Sequence, residues 1–292
     1  MAIILWILQS LFAALWMVYW KKVVENKKIW NNWQTFFSRT NHAIIILLLI
    51  SLWAFGFNYQ IPQNELNIYN IAIFILAVLW LYTTYPLRRI AYANEKMSVL
   101  QPFAMLFQVF PVIIWFIFIS TERANVITFL MAIIASIVVI WTSLDYKSLK
   151  INKYSLMVLA SSIIKSVQIF AVIYFLTILS PETLYLTESI AIIIISAFLI
   201  LIRWEFKEIK LLTKSYFKLL TSANIIAIIS ILLVLNMYTS LWIVATSLIS
   251  LLYLWFVYFF WYLILKEVPS KKDILVTLFV AFCIIIWIIF KS

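Results

Sequence analysis

Ten apolar runs separated by short polar loops take up nearly all of this 292-residue chain. They lie near Ala2–Trp20, Ala43–Asn58, Tyr69–Tyr85, Val99–Ser120, Val126–Leu144, Tyr154–Ser180, Thr187–Trp204, Leu219–Asn236, Tyr238–Leu265 and Ile274–Phe290. About 20 apolar residues in a helix match the hydrocarbon thickness of a bilayer. In lipid every backbone N–H and C=O needs a partner within its own segment or a closed barrel. Barrel strands would be about half as long and would alternate in polarity. The expected fold class is therefore all-α integral membrane, with ten transmembrane helices. With 66% hydrophobic and 11% charged residues, a soluble fold would have to bury nearly everything it has. The first run has no basic segment before it and no small-residue cleavage site, so it reads as a retained span rather than a signal peptide.

The net charge of +11 is organised by topology rather than by an acidic partner or a nucleic acid. The loops after runs one, three, five, seven and nine hold 19 of the 22 basic residues, among them Lys21, Lys22, Lys27, Lys28 and Arg39. The loops after the other runs hold only Arg123, while Glu65, Glu122, Glu182 and Glu188 mark that opposite side as acidic. Basic loops stay in the cytoplasm, so both termini are expected outside, in a multi-pass plasma-membrane protein.

The same count exposes a repeat. Basic loops follow the first and third runs of the first five, but the second and fourth of the second five. Reversed parity is what results when a unit with an odd number of spans is duplicated and fused in the opposite orientation. The fourth run of each half also ends at a glutamate, Glu122 and Glu267, 145 residues apart. The reading is two inverted five-helix repeats, 1–146 and 147–292, with the boundary near Asp145–Lys153.

Two halves that each end in helix, glutamate, turn, helix resemble the EamA-like domains of the drug/metabolite transporter superfamily. The stretch Leu87–Pro102 resembles that family's passage from third to fourth helix, with its spaced Ala, Ser and Pro, and Lys21 fits the lysine at the end of its first span. The resemblance covers essentially the whole chain and implies a secondary transporter. Two features depart from the pattern. The family's fifth and tenth helices carry glycines, whereas this chain has only Gly56. Family members also keep their termini in the cytoplasm, against the charge bias here.

Lys165 is the sharpest single signal, because a cation at bilayer depth needs a partner or a water-filled cavity. Ser162 and Gln168 lie three residues to either side and flank its helix face, with Ser161 and Ser166 nearby. Either Lys165 belongs to a substrate or ion site, or it is an ion-paired packing residue. Gln9 and Ser10 are polar residues in the middle of the first run, the repeat counterpart of the sixth, and so suggest a shared central cavity. Interhelical hydrogen bonding is the alternative for that pair. Gln108 joins the candidate substrate-binding set. Thr246, Ser247, Ser250, Asn224 and Asn236 are weaker candidates, and Trp16, Trp80, Trp115 and Trp255 are inner aromatics able to line a cavity. Pro102 and Pro111 are candidate kinks. His42 is the only histidine and has no cluster of Cys, Asp or Glu to build a metal site with.

These residues favour a secondary transporter moving a small metabolite by alternating access. A cationic Lys165 suits an amino acid-like, organic-anion or amphiphilic substrate, while the first run has no carboxylate to couple protons. A flippase for a lipid-linked carrier is the alternative. An intramembrane transferase would need surface carboxylate clusters, and the eleven acidic residues are scattered. No cofactor, metal, catalytic residue or nucleic acid is expected; the partners are membrane lipid and a small-molecule substrate, and the protein is expected to be a monomer. The topology predicts that a reporter active only outside the cytoplasm is active when fused after Ser292, and that a cytoplasm-dependent reporter at the same place is silent.

Overall fold

The computed structural model describes residues 2–25, 31–51, 67–95, 126–143, 153–207, 213–240 and 253–266, with isolated positions at 100, 103–104, 110–111 and between 271 and 286. Among them there is no strand. The helices are α1 (Ala2–Val24), α2 (Asn31–Ser51), α3 (Ile68–Asn94), α4 (Val126–Ser143), α5 (Lys153–Leu176), α6 (Pro181–Arg203), α7 (Lys214–Ser240) and α8 (Tyr253–Phe260). A π-helical turn at Trp261–Leu265 continues α8. Five of them, α1, α3, α5, α6 and α7, are long and apolar enough to cross a membrane. The proposed boundary between halves, and Gln108, lie outside the described residues.

Helix ends follow local chemistry. Ser180 caps α6, its Oγ accepting from the Thr183 N–H at 3.2 Å. Pro181 then opens the helix, where a missing N–H costs nothing, and Glu182 meets the positive end of the helix dipole. Asn67 caps α3 in the same way, through the Asn70 N–H. At the other end of α3, the Lys21 ammonium donates to the carbonyls of Tyr92 and Glu95. Two carbonyls that the helix leaves unpaired thereby gain a cation.

Three helix pairs dominate the packing: α1 on α7, α2 on α6 and α3 on α5. With glycine nearly absent, close approach relies on alanine and serine. Ala223 and Ala227 are buried four residues apart on α7, and Ser155, Ser161, Ser162 and Ser166 are buried along α5. Outward-facing residues such as Ile194, Phe198 and Leu201 on α6 leave an apolar exterior.

Three helices begin five or more residues before their apolar runs: α7 at Lys214, five before Leu219, and two others. α2 starts at Asn31, twelve residues before Ala43, and α6 starts at Pro181, six before Thr187. In α2 the reason is physical: Asn32, Gln34, Thr35, Ser38, Arg39 and His42 are polar and buried. A hydropathy profile rejects that turn-rich polar stretch because it answers to lipid, whereas these side chains answer to other helices. Arg39, read from sequence as a loop cation, therefore stands inside a helix. Arg88 also lies within a helix, because α3 runs past Pro86 to Asn94.

The end of α6 is fastened to the start of α2. Trp204 adopts the left-handed conformation, φ 56°, which is costly for a residue with a Cβ. The following turn is held by Glu205, whose carboxylate accepts from Asn32 Nδ2 at 2.9 and 3.1 Å, and by Trp33 Nε1 donating to the Glu205 carbonyl at 2.8 Å. Tyr82 of α3 donates to Asn32 Oδ1 and joins a third helix to the cluster. Burial pushes the Glu205 carboxyl above its usual range, only partly offset by the Asn32 hydrogen bonds and the Arg203 charge. The folded state thus holds this proton more readily than the unfolded chain. The stability so contributed is full below the ordinary carboxyl range and is lost as pH rises through the raised value. In detergent, the wild type is expected to lose thermal stability relative to Glu205→Gln as pH rises from about 4 to 7. A difference between the two that stays constant with pH would contradict this account.

Candidate functional site

A cavity of about 310 Å³ lies between the helices, with walls from α1, α2, α3, α5, α6, α7 and α8. Most of the lining is apolar and aromatic, including Trp16, Trp20, Leu81, Val172, Leu235 and Tyr253. A few polar groups converge on it, which is the usual make-up of a small-molecule site.

The polar centre is an ion pair between α2 and α6. Arg39 Nη1 lies 3.3 Å from Glu188 Oε1, with the two side chains only 9% and 13% exposed. The guanidinium lies over two tyrosine rings, 5.2 Å from the centroid of Tyr85 and 5.4 Å from that of Tyr185. Such contacts fix a cation's position and add attraction of their own. Gln168 Nε2 reaches the other carboxylate oxygen, Oε2, at 3.5 Å. Behind this layer, the Tyr185 hydroxyl and His42 Nδ1 share a 2.6 Å hydrogen bond, and Ser38 donates to Asn224 Oδ1 at 2.8 Å.

Two further basic residues face the same space. Arg88 Nε donates to Ser161 Oγ at 2.9 Å and Nη2 to Ser162 Oγ at 3.4 Å, and Ser162 itself donates to the Phe103 carbonyl. Lys165 projects from α5 together with Gln168, Ile169 and Val172, which is the i, i+3, i+4, i+7 face of that helix. Its charged neighbours are Arg88, Arg39 and Glu188. Among the described residues Lys165 makes no hydrogen bond or ion pair. Among the described residues the cavity therefore sets three basic side chains, Arg39, Arg88 and Lys165, against one carboxyl group.

The sequence candidates divide clearly. Lys165, Gln168 and Gln9 line the cavity. Ser162 stands behind the wall and orients Arg88, while Ser10 is buried beside Gln9, its hydroxyl 3.5 Å from Gln9 Oε1. Trp16 is in the lining, but Trp80 and Trp255 face outward. Pro111 also lines the cavity. Asn224 accepts from Ser38, and Asn236 Nδ2 donates to the Leu232 carbonyl one turn earlier in its own helix. Gln108, Trp115, Pro102, Thr246, Ser247 and Ser250 lie outside the described residues.

Sequence reasoning missed Arg39, Arg88 and Glu188. Glu188, read as a surface acid, is two turns inside α6. The available signal was spacing: Asn32, Thr35, Arg39, His42 and Ile46 recur every three or four residues, which is one helical stripe ahead of the second run. Replacing Tyr185 with Phe would leave buried His42 Nδ1 without its partner. The expected cost is about 1–3 kcal/mol, read as a lowered unfolding temperature with the protein still monodisperse.

Neither a family profile nor a curated protein sequence matches the chain. A solved crystal structure, described only as that of a protein, is similar over 99% of this chain and 95% of its own, with a TM-score of 0.65 and 13% sequence identity. At that identity the likeness shows a shared fold and nothing of activity.

Proposed function

We propose that this chain is a secondary transporter that carries a small organic anion, or an amphiphile with an anionic group, through a central cavity by alternating access. The observation that carries the reading is the cavity's charge: among the described residues, Arg39, Arg88 and Lys165 face Glu188 alone. Unpaired cations at bilayer depth are costly unless something compensates them. An anionic ligand group would do so, while Trp16, Trp20 and Tyr253 would cover its apolar part. The EamA-like resemblance in sequence points the same way.

The proposed architecture is ten spans in two inverted halves. In the order of the apolar runs, the three dominant helix pairs join run one to eight, two to seven and three to six. Exchanging each run with the one five places away maps the first pair onto the third and the second onto itself. A pseudo-two-fold axis generates that pattern. Arg39 and Glu188 are 149 residues apart, about half the chain, on the two helices that such an axis would exchange. Their contact is expected if the axis passes between them.

Purified protein should be stabilised against heat by carboxylates more than by amines or neutral sugars, since a ligand of the native state raises its stability. In liposomes, Lys165→Met is expected to lower anion uptake by tenfold or more, with insertion and folding kept, and Lys165→Arg to fall between it and wild type. Full uptake in the Met variant would remove Lys165 from the site. Uptake confined to lipid-linked phosphates would favour the flippase reading instead.

A further inference from the structure

Among the described residues Glu188 is the one acidic side chain in a cavity otherwise lined by basic and neutral groups, and it holds the arginine that an anionic substrate would seek. We propose that Glu188 is the proton-coupling group of this transporter: an entering anion takes over Arg39, and the displaced Glu188 carboxylate takes one proton. This rests on the anion-transport reading above and adds its coupling ion.

Geometry carries the argument. Arg39 is held between the Tyr85 and Tyr185 rings, so its guanidinium stays in place whichever acid it serves. Among the described residues Glu188 has Arg39 and Gln168 as its direct partners, at 3.3 and 3.5 Å, and the second contact is long. Once Arg39 turns to another carboxylate, Glu188 is a buried anion with one weak amide donor. Burial in an apolar surrounding favours the neutral acid. The step balances as one anion and one proton in: the anion pairs with Arg39, a proton from water forms the Glu188 O–H bond, and the charge of the loaded cavity equals that of the empty one.

Among the described residues, several other titratable groups share the cavity with Glu188. Across from it, α2 brings Arg39 and His42, and α3 brings Tyr85 and Arg88. α5 contributes Lys165, α6 itself contributes Tyr185, and α8 contributes Tyr253; α1 and α7 offer only the neutral Gln9 and Ser230. The arginines keep their protons. The tyrosines carry their protons already, which leaves Lys165 and His42 as the competitors. His42 Nδ1 is engaged by Tyr185, whereas Lys165 has no such partner among the described residues.

The test is proton uptake on binding of benzoate, a carboxylate on an aromatic ring, to detergent-purified full-length protein. Titration calorimetry in two buffers of different ionisation enthalpy gives the number directly, and needs no variant. The expected result is close to one proton taken up per benzoate. The apparent Kd should rise about tenfold per pH unit where Glu188 loses its proton. In Glu188→Gln, benzoate should bind with no proton uptake and a flat pH profile. Benzoate binding to wild type without proton uptake overturns the coupling and leaves the anion site standing. Uptake that persists in Glu188→Gln but disappears in His42→Gln or in Lys165→Met assigns the proton to that residue and overturns the proposal. Failure of benzoate to bind either protein between about pH 5 and 8 overturns the anion reading and the coupling with it.

Discussion

The pair formed by Arg39 and Glu188 is the contact around which the interior is arranged. It joins α2 to α6 and stands at the meeting point of the hydrogen bonds of Gln168, Tyr185 and His42. Neither partner is solvated, so each depends on the other. Taking away one member of such a pair costs about 3–5 kcal/mol, because the survivor is left charged without compensation. The two tyrosine rings on Arg39 are part of the same economy: they supply attraction that water would otherwise supply.

Around that centre the fold answers one recurring demand. A polar group inside a chain with an apolar exterior must find its partner on a neighbouring helix. Lys21 finds the carbonyls at the end of α3, Arg88 finds the hydroxyls of α5, and Glu205 finds the amide of Asn32 and the indole of Trp33. Each of these bonds crosses between helices, so the polar residues specify which helices meet, whereas the apolar surface between them specifies little. Alanine and serine then let those helices approach in a chain that has almost no glycine.

Much of this was legible beforehand. The long apolar runs required helices, because only a helix satisfies the backbone of so long a run in lipid from within its own segment, and the apolar face of α6 is what such a run should present outward. Lys165 and Gln168 were visible as charge and amide where hydropathy forbids them, and both line the cavity. Arg39, Arg88 and Glu188 were not visible in that way. They lie near the polar ends of apolar runs, where a charge is ordinarily solvated, and hydropathy gives a solvated and a buried end residue the same value.

Sequence by itself determined the helical class, the positions of most helices and the polar face of α5, because these follow from local composition and a period of 3.6 residues. Only the tertiary structure decided that α2 begins in a polar stretch and that α3 runs through Pro86. It also decided that three basic residues and one glutamate from four different helices share one cavity. The reason is that hydropathy records what each residue would prefer alone. The side chains of Arg39 and Glu188 are placed by partners about half the chain away, and that distance enters no local pattern.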